Sequence, residues 1–196
     1  MAVTSLLVMA SFILGSIPFG DIVARLRGIN IREVGSGNIG ATNVLRSLGK
    51  APALLTLIGD IMKGTVAVAV ARYVAGDPFI EGLAGLAAIA GHTFSLFLRF
   101  RGGKGVATAI GVLLIYAPAV GLATVAIWLL VVAVTRYSSL GALVSFAVLP
   151  LTMYVFDGIR VKVVVAFLIA GLLIVRHAAN IERLLKGTES RVGEKA

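Results

Sequence analysis

The sequence contains no cysteine among its 196 residues and only nine acidic side chains. Without cysteine the chain can form neither disulfides nor thiolate nucleophiles, and cysteine metal sites are excluded as well. No two of the carboxylates have the spacing of metal ligands, so we expect no structural or catalytic metal. The chemistry of this protein therefore has to come from other residue types.

Charged residues are also scarce, at 14% of the chain, whereas hydrophobic residues make up 59% and the mean hydropathy is +1.02. Apolar runs that can cross a bilayer, at roughly 20 residues each, recur throughout, and the alternating segments of a membrane barrel do not occur. We therefore expect an all-α integral membrane protein that forms a single transmembrane domain over residues 1–196. The seven predicted spans lie at about 2–22, 51–75, 79–98, 104–118, 120–136, 138–156 and 160–178.

Lysine and arginine are sorted between the predicted loops, with a net charge of +9 overall. No cation precedes the first span and two arginines follow it, so the positive-inside rule places the N-terminus outside and the C-terminus in the cytoplasm. The first run lacks a basic n-region and an Ala-x-Ala site, so we expect no cleaved signal peptide. Of the 18 cations, Lys195 and 13 others fall on the inner side. The remaining four lie outside or within a span: Arg72, Arg160, Lys162 and Lys63.

Three polar islands, at residues 35–43, 91–105 and 177–191, interrupt this apolar sequence. The predicted topology puts all three on the same, inner face of the membrane. Lipid does not tolerate such groups without a functional reason. Two islands are rich in glycine and cations, so we expect the three to converge on an anionic ligand.

The first island, GSGNIGATN, is able to wrap a phosphate. Its glycines at positions 35, 37 and 40 allow left-handed backbone angles and a close approach of a ligand. A short helix is expected over 41–48, ended by Gly49, and the amides at such a helix start form an anion site. A flexible interhelical turn is the alternative. The polar and cationic residues that favour binding are Ser36, Asn38, Thr42, Asn43 and Arg46.

The second island ends in the tight turn GGKG, with the Lys104 ammonium at its centre. Lys104 is either a lysine that snorkels to the interface or a fixed cation for phosphate or for charge that develops in a transition state. The three glycines favour the second interpretation, since they remove the neighbours against which a snorkelling side chain would lie. His92 is either a buried histidine that joins two helices or a contact to substrate.

The third island is expected to continue the seventh helix beyond the membrane. His177 and Asn180 would share the face that points to the mouth of the bundle, the alternative being an ordinary amphipathic helix end with basic anchors. Ser139 reaches the same inner face and adds a hydroxyl. Within the second span, Asp60 and Lys63 are three residues apart, so we expect them to pair with each other.

Taken together and in this order, the motifs resemble those of the small bacterial membrane acyltransferases that move an acyl group from acyl phosphate to glycerol 3-phosphate. The signatures are SGNIGATN at 36–43, GHTF and GGKGVAT within 91–108, and HAANIERLLKGTESR at 177–191. With GSIPFG at 15–20 and the spans, the resemblance covers essentially the whole chain. Two departures are visible: Ser95 stands where the family often has proline, and Arg101 where it often has lysine.

The resemblance implies that acyl phosphate and glycerol 3-phosphate are the substrates and that membrane lipid surrounds the protein. The products would be lysophosphatidic acid and inorganic phosphate, in the first step of phospholipid synthesis. No cofactor, no metal, no nucleic acid and no obligate protein partner is expected. The protein would lie in the bacterial cytoplasmic (inner) membrane, with its active site on the cytoplasmic side.

The resemblance also suggests roles for individual residues. Lys104 would neutralise charge on the transferred carbonyl or on the departing phosphate, while His177 and Asn180 would position the glycerol hydroxyl. Either His177 or a substrate phosphate would accept the hydroxyl proton. The predicted substrate- and phosphate-binding residues are Ser36, Gly37, Asn38, Gly40, Thr42, Asn43, Arg46, His92, Gly102, Gly103 and Ser139.

A small-anion or phosphate transporter is the main alternative, because basic residues in a helical bundle also suit permeation. Two features count against it: the polar groups cluster on one face, and no internal repeat is detectable of the kind that many carriers show. A lipid-binding scaffold would need basic anchors for headgroups but no GGKG turn.

Overall fold

The computed structural model describes residues 1–194, so Lys195, which the sequence places in the inner tail, lies outside the described residues. This part of the chain forms eleven α-helices, one short 3-10 turn (Leu96–Leu98) and no strand. The helices are α1 (Ala2–Ser16), α2 (Phe19–Arg25), α3 (Ala41–Leu48), α4 (Lys50–Ala75), α5 (Pro78–Thr93), α6 (Val106–Tyr116), α7 (Pro118–Thr135), α8 (Ser138–Ala147), α9 (Leu149–Phe156), α10 (Arg160–Arg176) and α11 (Ala178–Leu185).

The expected all-helical architecture is confirmed, with at least four segments long and apolar enough to cross a membrane in the described part of the chain. The count rises to six if two bent pairs are each one span: α8 with α9, at 47°, and α10 with α11, at 59°. In the place of the predicted fourth span, α6 has only 11 residues, or roughly 16 Å of helix against about 30 Å of hydrocarbon. The number of seven crossings therefore stays a prediction.

Two predicted continuous helices are sharply bent, each for a local reason. Pro150 is the second residue of α9 and cannot donate to the preceding turn, so the predicted span 138–156 bends there. The third island continues the last span as a helix, as predicted, but only after a sharp bend at His177. The Nδ1 of His177 lies 2.7 Å from the carbonyl oxygen of Leu173, where it competes with the helix's own hydrogen bond, and α11 leaves at 59°.

Glycine lets the helices around the site approach closely. A methyl group on Gly64 of α4 would overlap the carbonyl oxygen of Thr108 in α6, and one on Gly111 of α6 would overlap that of Ile61 in α4. The two backbones are therefore in direct contact, as small residues permit in helix pairs within membranes. This contact fixes the start of α6, which carries the GGKG turn at its N-terminal end.

The main apolar core fills the space between α5, α6, α8, α9 and α10, with Ile89, Val112, Phe146, Met153 and Ile169 almost wholly buried. A second, smaller cluster lies beneath the long segment between α2 and α4. Its members are Ala24, Ile31, Ile39, Val44 and Ala53. Because Ile31, Ile39 and Val44 are buried there, the first island is anchored to the bundle before its start, at its middle and directly after its end.

Ion pairs close the end of the bundle that is remote from the islands. Arg72 pairs with Glu81 at 2.7 Å, and Lys162 pairs with Asp157 at 2.7 Å. Both cations also approach the carbonyl oxygen of Tyr116, Lys162 at 3.0 Å and Arg72 at 3.5 Å. The negative end of the α6 dipole is thereby compensated by two positive charges.

Candidate active site

The three islands meet at one cavity of about 600 Å³. Eleven of the predicted site residues line it: Ser36, Asn38, Gly40, Thr42, Asn43, Arg46, His92, Lys104, Ser139, His177 and Asn180. These residues come from segments that are far apart in sequence, including the first loop, the end of α5, the start of α8 and the α10–α11 bend. The convergence that the sequence led us to expect is present in the structure.

Three predicted binding residues, Gly37, Gly102 and Gly103, are not part of the cavity wall. Their amides are already used, since Gly37 donates to the carbonyl of Val34 at 3.1 Å. The amides of Gly102 and Gly103 donate to the carbonyls of residues 93 and 92, at 3.1 and 3.0 Å. These glycines shape the two loops that present the lining residues.

Asn43 organises the first loop from within. Its side-chain oxygen accepts a hydrogen bond from the amide of Ser36 at 2.8 Å. Its Nδ2 lies within 3.2 Å of three loop carbonyls, those of Ile31, Val34 and Asn38. Asn43 is 2% exposed and its side-chain amide is already bonded within the loop. A bound phosphate would therefore contact the loop that Asn43 stabilises, and not the Asn43 amide itself.

The first loop ends in α3, which begins and ends at the residues predicted, with Gly49 in a left-handed conformation after Leu48. The side chain of Asn38 does not cap the helix; it accepts a hydrogen bond from the amide of Gly40 at 2.8 Å instead. The Thr42 hydroxyl lies 3.3 Å from that of Ser138. Arg46 follows one turn later and lines the cavity.

Lys104 stands at the centre of its glycine turn and lines the cavity, directly before Gly105, which begins α6 in a left-handed conformation. Burial lowers the pKa of the Lys104 ammonium to about 8. Nearby arginine guanidinium groups act in the same direction, and the Glu189 carboxylate acts against them. Within residues 1–194 neither Lys104 nor Arg46 has a carboxylate at ion-pair distance. The cavity therefore presents two cations that are available to an anion.

His177 and Asn180 stand side by side at the α10–α11 bend, each 3% exposed and each lining the cavity. Because a carbonyl only accepts, the His177 Nδ1 that contacts Leu173 must carry hydrogen, and in the neutral ring Nε2 is the acceptor. The Asn180 Nδ2 donates to Glu189 at 2.7 Å, and its Oδ1 has no hydrogen-bond partner among the described residues. Each side chain thus keeps one acceptor atom without a hydrogen-bond partner among the described residues.

Glu189 was missed by sequence reasoning, which gave it no role. It lines the cavity and accepts three hydrogen bonds, from Ser139 at 2.6 Å, Asn180 at 2.7 Å and Arg183 at 2.7 Å. Burial alone would raise the pKa of Glu189, but these hydrogen bonds lower it, so the carboxylate stays charged. The sequence signal that could have indicated a role was an acidic residue in an otherwise basic tail, two residues after a glycine. Glu189 ties α8 to α11 across the cavity.

A second part of the cavity wall is apolar. Its residues are Leu54, Leu57 and Ile61 of α4, Ile110 of α6, and Val125 and Trp128 of α7. The indole nitrogen of Trp128 donates to the carbonyl of Ser138 at 3.2 Å, which fixes the ring. One cavity therefore combines a cationic end with a hydrocarbon end. In the described part of the chain, no three His, Asp or Glu side chains are grouped as metal ligands.

Comparison with known proteins agrees with this arrangement. The family model described as glycerol-3-phosphate acyltransferase matches residues 5–187. The chain belongs to the glycerol-3-phosphate acyltransferase family. The glycerol-3-phosphate acyltransferase of Aromatoleum aromaticum is 51% identical over 189 residues, with 96% of each chain covered. That of Rhizobium meliloti is 50% identical, with 94% of this chain and 90% of the relative covered.

Two crystal structures of a glycerol-3-phosphate acyltransferase have the same fold. Both are of PlsY (YgiH), an integral membrane glycerol 3-phosphate acyltransferase. The glycerol 3-phosphate form is 40% identical, with a TM-score of 0.93 over 97% of this chain and 96% of that one. The lysophosphatidic acid form is 39% identical, with a TM-score of 0.90 over 96% and 94% of the two chains. The family resemblance that the motifs indicated is confirmed, and with it the membrane location of the fold.

Proposed function

We propose that this protein transfers a fatty acyl group from acyl phosphate to a hydroxyl of glycerol 3-phosphate, forming lysophosphatidic acid and inorganic phosphate. The observation that carries the proposal is the mixed lining of the cavity, in which Arg46 and Lys104, without an ion-pair partner among residues 1–194, occur together with apolar side chains that could contact an acyl chain. The names of the relatives support the acceptor, and so do the two PlsY structures, one a glycerol 3-phosphate form and the other a lysophosphatidic acid form.

An acyl phosphate donor fits the chemistry of the chain. Acyl phosphate is a mixed anhydride with a good leaving group, so it needs neither a thioester on the enzyme nor a metal to activate it. The chain has no cysteine with which to form such a thioester. Arg46 and Lys104 approach the cavity from different islands, so the two phosphates of donor and acceptor would each have a cation nearby.

The reaction joins the acceptor hydroxyl oxygen to the acyl carbon and breaks the bond between that carbon and the phosphate oxygen. His177 and Asn180 would orient the hydroxyl through the acceptors that they present. Lys104 would neutralise the negative charge that develops on the carbonyl oxygen or on the departing phosphate. The hydroxyl proton would pass either to the His177 Nε2 or to a phosphate oxygen of a substrate.

We also propose seven crossings of the cytoplasmic membrane, with the N-terminus outside and the cavity on the cytoplasmic side. The basic loops gather at the cavity end, as the positive-inside rule requires. Although α6 is short, it starts beside the end of α5 and ends where the Tyr116 hydroxyl donates to the carbonyl of Pro78, at the start of α5, at 2.8 Å. It therefore connects the same two ends of the bundle as its longer neighbour.

A small-anion transporter would need a polar route through the whole bundle. Along α6 the cavity wall includes Val106, Ala107 and Ile110. Val112, Leu113 and Tyr116 follow, and each is completely buried in the main core. The apolar packing beyond the cavity favours the transferase.

The direct test is to give purified protein in detergent acyl phosphate and glycerol 3-phosphate, then measure inorganic phosphate and lysophosphatidic acid. After subtraction of the phosphate released in protein-free samples, both should appear in equal amounts and only when both substrates are present. Activity with acyl-CoA but not acyl phosphate would overturn the proposed donor, and no product with either would overturn the transferase.

Lys104→Ala should remove most of the turnover while the protein stays folded, because the variant loses a cation at the reaction centre. Lys186→Ala is the matched control, since the Lys186 side chain is 65% exposed and pairs only with Glu182 at the surface. Near-normal rates for Lys104→Ala would contradict its role. For topology, a reporter fused after the last residue should score as cytoplasmic, and an external signal would overturn the orientation.

A further inference from the structure

A cluster of three ionisable side chains is buried beside the cavity. Asp60, Lys63 and His92 are between 2% and 4% exposed, and Asp60 and His92 both contribute to the cavity wall. The Lys63 Nζ lies 2.9 Å from the Asp60 carboxylate, as the sequence predicted for this pair. It also lies 2.8 Å from the Nδ1 of His92. Ionisable groups this deep in a membrane protein mark a functional site by default.

The contacts of Lys63 determine which nitrogen of His92 carries hydrogen. An ammonium has three N–H donors and no acceptor. Lys63 donates to the carbonyl of Ile17 at 2.9 Å and to His92, and its charge pairs with the Asp60 carboxylate. The His92 Nδ1 must then accept, so in the neutral ring the hydrogen is on Nε2. The competing contact, from Nδ1 to Asp60, is longer, at 3.4 Å.

His92 in turn holds the GGKG turn. Its carbonyl accepts from the amide of Gly103 at 3.0 Å, and its ring packs against the same residue, where a methyl group would overlap Nε2. Gly103 immediately precedes Lys104. A rotation of the ring would therefore displace Gly103, the residue next to Lys104.

We propose that Asp60, Lys63 and His92 form a positioning triad, which keeps His92 in the Nε2–H tautomer and so fixes the turn that presents Lys104 to the substrates. The Asp60 carboxylate keeps Lys63 a charged donor, and Lys63 orients the imidazole. His92 presses on Gly103 and sets the position of the turn. The triad also reaches the break between α1 and α2, through the carbonyl of Ile17.

The structure makes a sharp contrast between the two histidines of the chain. His92 accepts at Nδ1 from Lys63, whereas His177 donates from Nδ1 to the carbonyl of Leu173. The two neutral rings should therefore be held in opposite tautomers. Because the chain has only two histidines, nitrogen NMR of the protein labelled with ¹⁵N-histidine can report each of them separately.

The first experiment is solid-state NMR of the labelled protein in lipid bilayers, with His92→Gln used to assign the two rings. We expect His92 protonated at Nε2 and His177 protonated at Nδ1. A wild-type His92 protonated at Nδ1 would overturn the proposal. This measurement needs no turnover, so it stands or fails independently of the proposed reaction.

The second experiment compares Lys63→Met with Glu81→Gln. Both variants remove a buried member of an ion pair between α4 residues or between α4 and α5, but Glu81 pairs with the partly exposed Arg72 at the opposite end of these helices. Lys63→Met should leave His92 with mixed tautomers and lower kcat/KM roughly 10- to 100-fold, since small misplacements at a reaction centre have effects of that size. Glu81→Gln should change neither the tautomer nor kcat/KM.

If Lys63→Met does not fold because Asp60 is left without a partner, the double variant Asp60→Asn with Lys63→Met removes both charges. It should show the same loss of tautomer preference and of kcat/KM. Two results in Lys63→Met or in the double variant would overturn the positioning role. One is a His92 ring that stays in a single tautomer, and the other is a wild-type kcat/KM with mixed tautomers. The kinetic part rests on the proposed function, and the tautomer part does not.

Discussion

The charge of Lys104 should set an alkaline limit on activity. Its pKa is about 8, and only the protonated form can neutralise a phosphate or a developing oxyanion. About nine tenths of the Lys104 side chains are charged at pH 7 and about one tenth at pH 9. If this ammonium is required, the rate should fall about tenfold between these two pH values. Because the lysine is active when protonated, the rate is highest below its pKa and decreases as the pH rises above it.

Lys104→Arg separates the charge from the geometry. A guanidinium stays protonated throughout this range. The variant should be slower than wild type near neutral pH, because the larger, planar guanidinium group does not fit the glycine turn as the lysine ammonium does. Its rate should, however, show no tenfold decrease between pH 7 and pH 9. Lys186→Arg, at the exposed surface, should keep the wild-type profile.

The assay is phosphate release at substrate concentrations well below KM, so that the rate follows kcat/KM and the pKa of the free protein. It is corrected at every pH for the spontaneous hydrolysis of acyl phosphate in protein-free samples. The protein should be returned from pH 9 to pH 7 and assayed again, to separate titration from inactivation. A wild-type rate that stays level to pH 9, or an identical alkaline decrease in Lys104→Arg, would refute the argument that the Lys104 charge limits the reaction.

Two further predictions concern the surroundings of this lysine. Glu189→Gln removes the carboxylate that raises the pKa of Lys104, so the alkaline midpoint in the same assay should move to lower pH; an unchanged midpoint would contradict the electrostatic link. Gly111→Ala should destabilise the protein by about 1–3 kcal/mol, because the added methyl overlaps the carbonyl of Ile61. Gly171→Ala, with open space around the added methyl, is its control and should leave the thermal midpoint in detergent unchanged or slightly raised; equal losses in both variants would contradict the packing argument.

Local chemistry made several features of the site predictable from the sequence. The helix 41–48 followed from the glycines that flank it, and the Asp60–Lys63 pair followed from helical spacing in an apolar span. The convergence of the islands followed from counting apolar runs and from the sorting of cations. These inferences needed only patterns within a single segment or a rule that applies to all membrane loops.

Other features depend on contacts between distant segments, and no local pattern indicates them. The contact of His92 with Lys63 and the three bonds of Glu189 require the packing of α4, α5, α8 and α11 to be known. The bend at His177 was missed because its sequence is fully compatible with a continuous helix. Asn43 was predicted as a ligand for phosphate on composition, and the structure shows its amide engaged by the loop's own carbonyls.

The brevity of α6 has a consequence for how the protein meets the bilayer. None of residues 106–116 is exposed, because α4, α5 and α7 pack around this helix. A helix of roughly 16 Å can therefore lie within about 30 Å of hydrocarbon without forcing the lipid beside it to thin. The start of α6, next to Lys104, should accordingly be insensitive to the thickness of the membrane.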